Sequence, residues 1–317
     1  MQISLIHNPR NRLSNERIKI RQIVKNKGFL SYFMLNILTA IDNISSFREN
    51  NLKNYATKYL IRINAVGDKL EFYVQDAIAG TFKKSIQEKE TEYKKVFSWQ
   101  GSQNNPPDLI IRGGDAFETK KIEGVNSSLA LNSSPPKSTL LITDPRLTSE
   151  CRKCENNWKE KDIFYIVGSV DKTQKMKYLF FVQGKCYCAN HSVYDNLHSS
   201  LKNEIEEVLT KNKLKSKETV ELGGVDKVDP LGITSLRIRG MWNIENPKEV
   251  FSKTINFDGT KEFSLFAIME REKYNSFPQE DRKKVEANKN IIIEDITIIN
   301  PNDTNKNIDA KLISFSF

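Results

Sequence analysis

Histidine is scarce in this chain: His7, His191 and His198 are the whole supply. That leaves little for a histidine-ligated metal nuclease or a Ser/His/Asp hydrolase. There are only 4 cysteines in 317 residues, far from the density of a disulfide scaffold, and this points to a reducing, cytoplasmic setting. No apolar run approaches the roughly 18 residues of a membrane span. The first 30 residues lack a continuous apolar stretch, which argues against a secretory signal. Neither a P-loop nor a GxGxxG fingerprint occurs, so NTP-driven and dinucleotide chemistry are not indicated.

What is present is a core-forming composition, with 38% hydrophobic and 9% aromatic residues, so the chain is not a disordered one. Basic residues outnumber acidic ones, 49 Lys and Arg against 40 Asp and Glu, a net charge of +9. An excess of this size suits a polyanion such as nucleic acid, because each neutralised phosphate releases counterions. It equally suits a soluble protein with a lysine-rich coding bias.

Residues 1–33 read as a basic extension or arm, without clear periodicity. From Met34 the spacing of Leu35, Leu38, Ile41 and Ile44 predicts a helix, and 55–82 predicts a longer one interrupted near Gly67. Strands are predicted over 108–112 and 116–122, joined by a tight Arg112-Gly113-Gly114-Asp115 turn. The Asn-, Ser- and Pro-rich stretch 126–149 reads as a long functional loop. CRKCENNWKEKD reads as a short helix leading into the strands IFYIVGSV and YLFFVQG. Leu197, Leu201, Ile205, Val208 and Leu209 predict an amphipathic helix. The last third alternates strands and loops. The whole is expected to be α/β, with a mixed central sheet flanked by helices. It is read as one domain over 34–317.

Side chains two apart on a strand share a face. Ala116, Glu118, Lys120 and Ile122 therefore point one way, and a hairpin with 108–112 brings Asp108 beside them. Two carboxylates so close repel unless a positive group joins them. Hard oxygen ligands of this kind suit Mg²⁺, which keeps several waters and shares its shell with substrate phosphate. Lys120 is then placed to hold an attacking water and offset transition-state charge. The plain alternative is a hairpin with ordinary surface charges. Glu71 lies on the edge of the apolar face formed by Leu70, Tyr73, Val74, Ala77 and Ile78, while Lys69 and Asp76 point away from it. Glu71 either reaches water or supplies a further metal ligand.

PPDLIIRGGDAFETKKIEG followed by LALNSSPPKSTL is similar to the NgoPII-type type II restriction endonucleases, as are CRKCENNWKEKDIFYIVG, LFFVQGKCYCA and LRIRGMWNIENP. The resemblance runs from about Met34 to beyond residue 250. It implies a PD-(D/E)xK nuclease fold, Mg²⁺-dependent cleavage of double-stranded DNA, and recognition of the palindrome GGCC. The family's catalytic pattern falls on Asp108, Glu118 and Lys120, which puts the catalytic core at about 55–190 and the recognition elements at about 126–149 and 220–260. Residues 1–33 lie outside it.

Arg237 and Arg239, two apart, face one side of a strand, and arginine is the usual bidentate reader of guanine. A phosphate-clamping or salt-bridged pair is the alternative. Asn132, Ser133, Ser134 and Lys137 could contact the DNA backbone or a groove, or form a plain loop. Cys151, Cys154, Cys186 and Cys188, with His191, could bind zinc; four reduced thiols packed at strand ends is the simpler reading. Together these features predict a site-specific DNA hydrolase leaving a 5′-phosphate. A palindromic site predicts a homodimer, and a restriction activity predicts a cognate DNA methyltransferase as genetic partner. The alternatives are a structure- or repair-directed nuclease of the same fold and a DNA-binding protein whose acidic cluster is only structural.

Overall fold

In the computed structural model, residues 35–53, 66–102, 105–123 and 127–317 are described; the basic segment 1–33 and most of the first half of the predicted 55–82 helix lie outside them. The strands of the central sheet are β1 (Phe97–Ser102), β2 (Asn105–Ile111), β3 (Ala116–Ile122), β6 (Glu160–Val170), β7 (Met176–Gln183), β11 (Ser264–Glu270), β13 (Asp303–Ser316) and β12 (Ile292–Asn300), in that spatial order. β3 runs parallel to β6 and β7 parallel to β11, and the other neighbours are antiparallel. The sheet is mixed, as expected. Its middle strands β6 and β7 are buried almost continuously, which is the pattern of strands covered on both faces.

Alternate residues feed two separate cores. Phe117, Phe164, Ile166, Leu179 and Phe181 pack on one side of the sheet, beneath the helices α1 (Ile37–Phe47), α2 (Val66–Ala79) and α3 (Ile86–Val96). Ala116, Ile122, Tyr165, Val167 and Phe180 pack on the other. α1 starts where Asn36 accepts the Leu38 amide at 2.9 Å. α3 starts with a Ser85/Glu88 capping box and ends on Lys94 and Lys95, which complement the helix dipole. α2 lies close against the sheet because Gly168 on β6 leaves room: a Cβ there would stand 2.7 Å from a methyl of Leu70. The predicted α2 face is the buried one, with Leu70, Tyr73, Val74, Ala77 and Ile78 all 0–1% exposed.

Asp76 departs from expectation. It does not point to water; it is fully buried and ion-paired to Lys89 of α3, with the hydroxyls of Thr81 and Tyr93 also donating to it. Helix packing, invisible in one helix's periodicity, supplies these partners. Burial raises the Asp76 carboxyl, and its three donors oppose that shift.

The 126–149 stretch is not a structureless loop. It holds β4 (Leu129–Asn132) and β5 (Thr139–Leu141). Leu129 and Leu131 alternate inward on β4, which pairs with β10 (Trp242–Ile244), while β5 pairs with β6. CRKCENNWKEKD is not the expected helix: only its first two residues belong to a single turn, α4 (Ser149–Arg152), capped by Thr148, and the rest runs through turns and bends into β6 at Glu160. α5 (Gly184–Tyr187) follows β7. The predicted amphipathic helix is α6 (His191–Lys211), but Leu197, Leu201 and Val208 stay exposed and only Leu209 is buried. Its inner side meets a small hairpin of β8 (Gly223–Asp226) and β9 (Ser235–Ile238), where Ile205 sits over Gly223. α7 (Pro247–Val250), α8 (Arg271–Ser276) and α9 (Gln279–Ala287) complete the helices described.

Removing the cation from a buried ion pair leaves an uncompensated charge. Lys89→Met is expected to lower unfolding stability by about 3–5 kcal/mol, read as a lower urea midpoint. Asp76→Asn combined with Lys89→Met should recover most of the loss, because the amide still accepts from Thr81 or Tyr93. A Lys89→Met midpoint equal to wild type would dismiss the pair as a structural element.

Candidate active site

The β2–β3 ladder is short: Leu109 faces Phe117 and Ile110 faces Ala116. Beyond it a side chain takes over from the backbone. Asp108 Oδ2 accepts the Thr119 amide at 2.6 Å, which fixes Asp108 beside the same turn of strand that carries Glu118 and Lys120. The turn between the strands is set by Gly113 in the left-handed region (φ 71°). It is clamped from outside by Glu155, which accepts the Gly113 amide at 2.8 Å, and by Lys161, which donates to Gly114 O at 2.9 Å.

Glu118 and Lys120 share a face, as the two-residue spacing requires, and Lys120 Nζ lies 2.6 Å from Glu118 Oε1. Both are largely but not wholly buried. Burial pushes Asp108 well above the usual carboxylate range. The charges of Glu118 and Glu71 push the same way, and Lys120 and the Thr119 amide oppose them. Burial alone would lower Lys120, but Glu118, Asp108 and Glu71 outweigh it and raise its pKa. The lysine therefore stays an ammonium at neutral pH. Glu71, half-buried on α2, is within electrostatic reach of both Asp108 and Lys120. The structure thus brings Asp108, Glu118 and Lys120 together and leaves Glu71 within electrostatic reach of them.

Two carboxylates beside one ammonium, with the charge of Glu71 in reach, leave net negative charge at a partly buried point. Those hard oxygens fit a divalent cation, which would offset the repulsion that adds to burial in raising Asp108. Among the described residues no group of three His, Cys, Asp or Glu forms a ready metal cage. The four cysteines are free thiols and do not assemble into such a group either. Cys154 is held down to about 7, chiefly by its hydrogen bond with Cys151. His191 instead contacts the Thr139 hydroxyl at 3.2 Å.

A pocket adjoins Glu118, walled by Pro107, Leu131, Ser134, Lys137 and Tyr165. The two expected recognition elements meet beside it. β4 pairs with β10, and Arg239 Nε donates to Ser133 Oγ at 3.1 Å. Asn132 closes β4 in the left-handed region (φ 54°), with its side chain exposed. Lys137 is placed differently from the expected DNA contacts. It is buried, and its ammonium binds Ser134 and lies 3.5 Å from Asp144. Its amide donates to Tyr165 Oη at 2.7 Å. Lys137 supports the loop from beneath, leaving Asn132 and Ser133 nearer the surface.

Arg237 lies on β9 and Arg239 just past its end, so strand alternation alone does not align them; what brings them to one side is Glu221, to which both are salt-bridged. Sequence reasoning missed Glu221, because the pairing follows from the β8–β9 register rather than from spacing along the chain. It also missed Lys273. This residue of α8 reaches Asp115 at 2.5 Å and Asp162 at 2.9 Å, anchoring the starts of β3 and β6 just below Glu118. Burial would raise Asp162, yet Lys273 outweighs it and holds the carboxyl below its usual value.

No solved structure matches the chain. The sequence model of a family described as NgoPII restriction endonuclease matches residues 35–299. The type II restriction enzyme NgoPII of Neisseria gonorrhoeae is 41% identical over 281 residues, covering 89% of this chain and 99% of that enzyme. A match of this extent, over a sheet that gathers Asp108, Glu118 and Lys120, makes the chain a member of the NgoPII restriction endonuclease family and a type II restriction endonuclease.

Proposed function

We propose that this enzyme uses Mg²⁺ to hydrolyse double-stranded DNA at GGCC, leaving a 5′-phosphate and a 3′-hydroxyl, and that it acts in the cytoplasm as a homodimer beside a cognate methyltransferase. The observation that carries the chemistry is the convergence of Asp108, Glu118 and Lys120 at one point on the β2–β3 hairpin, with Glu71 in electrostatic reach. The site sequence rests on the family resemblance, and the dimer on the symmetry of a palindrome.

Asp108 and Glu118 would hold the cation, with Glu71 as a further oxygen donor. When bound, the cation supplies Lewis-acid polarisation of the scissile phosphate and a more acidic water. Lys120, kept protonated by its carboxylate neighbours, orients the attacking water and balances charge on the phosphate oxygens. A bond from water oxygen to phosphorus forms, the bond from phosphorus to the 3′-oxygen breaks, and that oxygen leaves as the hydroxyl. Thr119 contributes through its backbone, whose amide locks Asp108 in place. Arg237, Arg239, Asn132 and Ser133 are assigned to the DNA. Each presents polar groups near the surface where the two recognition elements meet.

Digestion of a sequenced plasmid with Mg²⁺ is expected to give discrete fragments whose ends map to GGCC, and excess EDTA should abolish them. Ends at another fixed sequence would overturn GGCC alone. Ends scattered at junctions or mismatches would favour the structure-directed alternative. Cleavage in EDTA would overturn the metal.

Asp108→Asn and Glu118→Gln keep side-chain shape and remove a charged oxygen. Each is expected to slow cleavage by at least about a hundredfold to a thousandfold, the scale of losing one electrostatic stabiliser. Binding to the specific duplex in Ca²⁺ should persist. Lys120→Ala should fall comparably, and Glu71→Gln less. Wild-type turnover in the Asp108 variant would remove this site from consideration.

Sedimentation of the protein with a single-site duplex should give two chains per duplex. One chain per duplex would refute the two-fold arrangement.

A further inference from the structure

Arg237 and Arg239 project from one small hairpin onto a single carboxylate. Arg237 donates from Nε to Glu221 Oε2 at 2.7 Å and from Nη2 to Oε1 at 2.6 Å. Arg239 Nε lies 3.0 Å from Oε1 of the same residue. The carboxylate is 7% exposed, while the two arginine side chains are 66% and 50% exposed. Glu221 is itself tied down, its amide donating to Thr219 Oγ1 at 3.2 Å. The hairpin beneath is seated on α6 at Gly223, where any side chain would meet Ile205 at 2.9 Å.

A guanidinium has two edges able to make paired hydrogen bonds, one from Nε and Nη2 and one from Nη1 and Nη2. Glu221 takes the first edge of Arg237. The second faces outward, and a paired contact to guanine O6 and N7 needs only one edge. Among the described residues Arg239 is gripped at Nε, between Glu221 and Ser133, and its terminal nitrogens lie beyond that grip. An arginine held this way loses little rotamer freedom on meeting a base. One buried carboxylate also offsets part of the charge of two arginines, which weakens their attraction to any phosphate backbone.

We infer that Glu221 is a specificity-determining positioning residue. It holds Arg237 and Arg239 with their outer edges set for guanine and restrains their use as general phosphate clamps. The inference rests on the reading of these arginines as base contacts. It goes beyond that reading in placing discrimination partly in a residue that touches no DNA.

The test is competition binding in Ca²⁺ with two duplexes, one carrying the cut sequence mapped from fragment ends and one random. The proteins are wild type, Glu221→Gln, Arg237→Ala, Arg239→Ala, and the arginine double variant with and without Glu221→Gln. Thermal melts confirm that each is folded, and Glu221→Gln keeps the volume of the buried group. Glu221→Gln is expected to lower the ratio of specific to random affinity about tenfold to a hundredfold, the scale of one good paired base contact. Random-duplex affinity should hold or rise, with steeper salt dependence. Added to the arginine double variant, it should lower the ratio no further, because a residue acting through others has nothing left to position. If the arginine variants lose discrimination and Glu221→Gln does not, the positioning role fails while base reading stands. If none of the variants changes the ratio, base reading by this strand fails and the inference falls with it. Equal gains on both duplexes for Glu221→Gln would reduce it to a charge balance and overturn the proposal.

Discussion

The hydrogen bond from the Thr119 amide to the Asp108 carboxylate is the constraint on which the site depends. Where the β2–β3 ladder stops, this bond continues the pairing with a side chain. It therefore fixes a carboxylate where an ordinary hairpin would place a carbonyl. Glu118 and Lys120 need no such device, since strand geometry alone puts them on one face. The cost is electrostatic: Asp108 sits among Glu118 and Glu71 and is pushed up by burial and by both of them. The fold tolerates this because β3 is anchored from below by Lys273 through Asp115, and the Gly113–Gly114 turn is clamped by Glu155 and Lys161.

Much of this was legible in the sequence. The two apolar runs around a glycine turn announce a hairpin, and period two assigns Glu118 and Lys120 to one side. The 3.6-residue period assigns the buried face of α2 and leaves Glu71 on its edge. These are local signals, carried within a few residues of the groups they place. The mixed sheet between helices was expected too, on the strength of the family resemblance rather than of a local pattern.

Other features depend on contacts between distant segments, and no local pattern encodes them. Asp76 looks solvated until α3 brings Lys89 against it. The 126–149 stretch looks like a loop until β10 pairs with Leu129–Asn132. Glu221 is one acid among many until the β8–β9 register sets it beneath two arginines. The apolar spacing of α6 correctly announced a helix, but periodicity reports only that a stripe exists and not what covers it. Here Leu209 is buried while Leu197, Leu201 and Val208 stay at the surface.

The pocket beside Glu118 is walled by Leu131, Ser134 and Lys137, and the intervening Ser133 is bonded to Arg239. On the proposed assignment, a single short loop forms part of the catalytic wall and part of the recognition surface. Information about a base contacted there would have almost no distance to travel before it reached Glu118. An enzyme built this way does not need a long relay to restrain itself on the wrong sequence. It also follows that its fidelity and its turnover are hard to alter separately, since a substitution in this loop disturbs the two together.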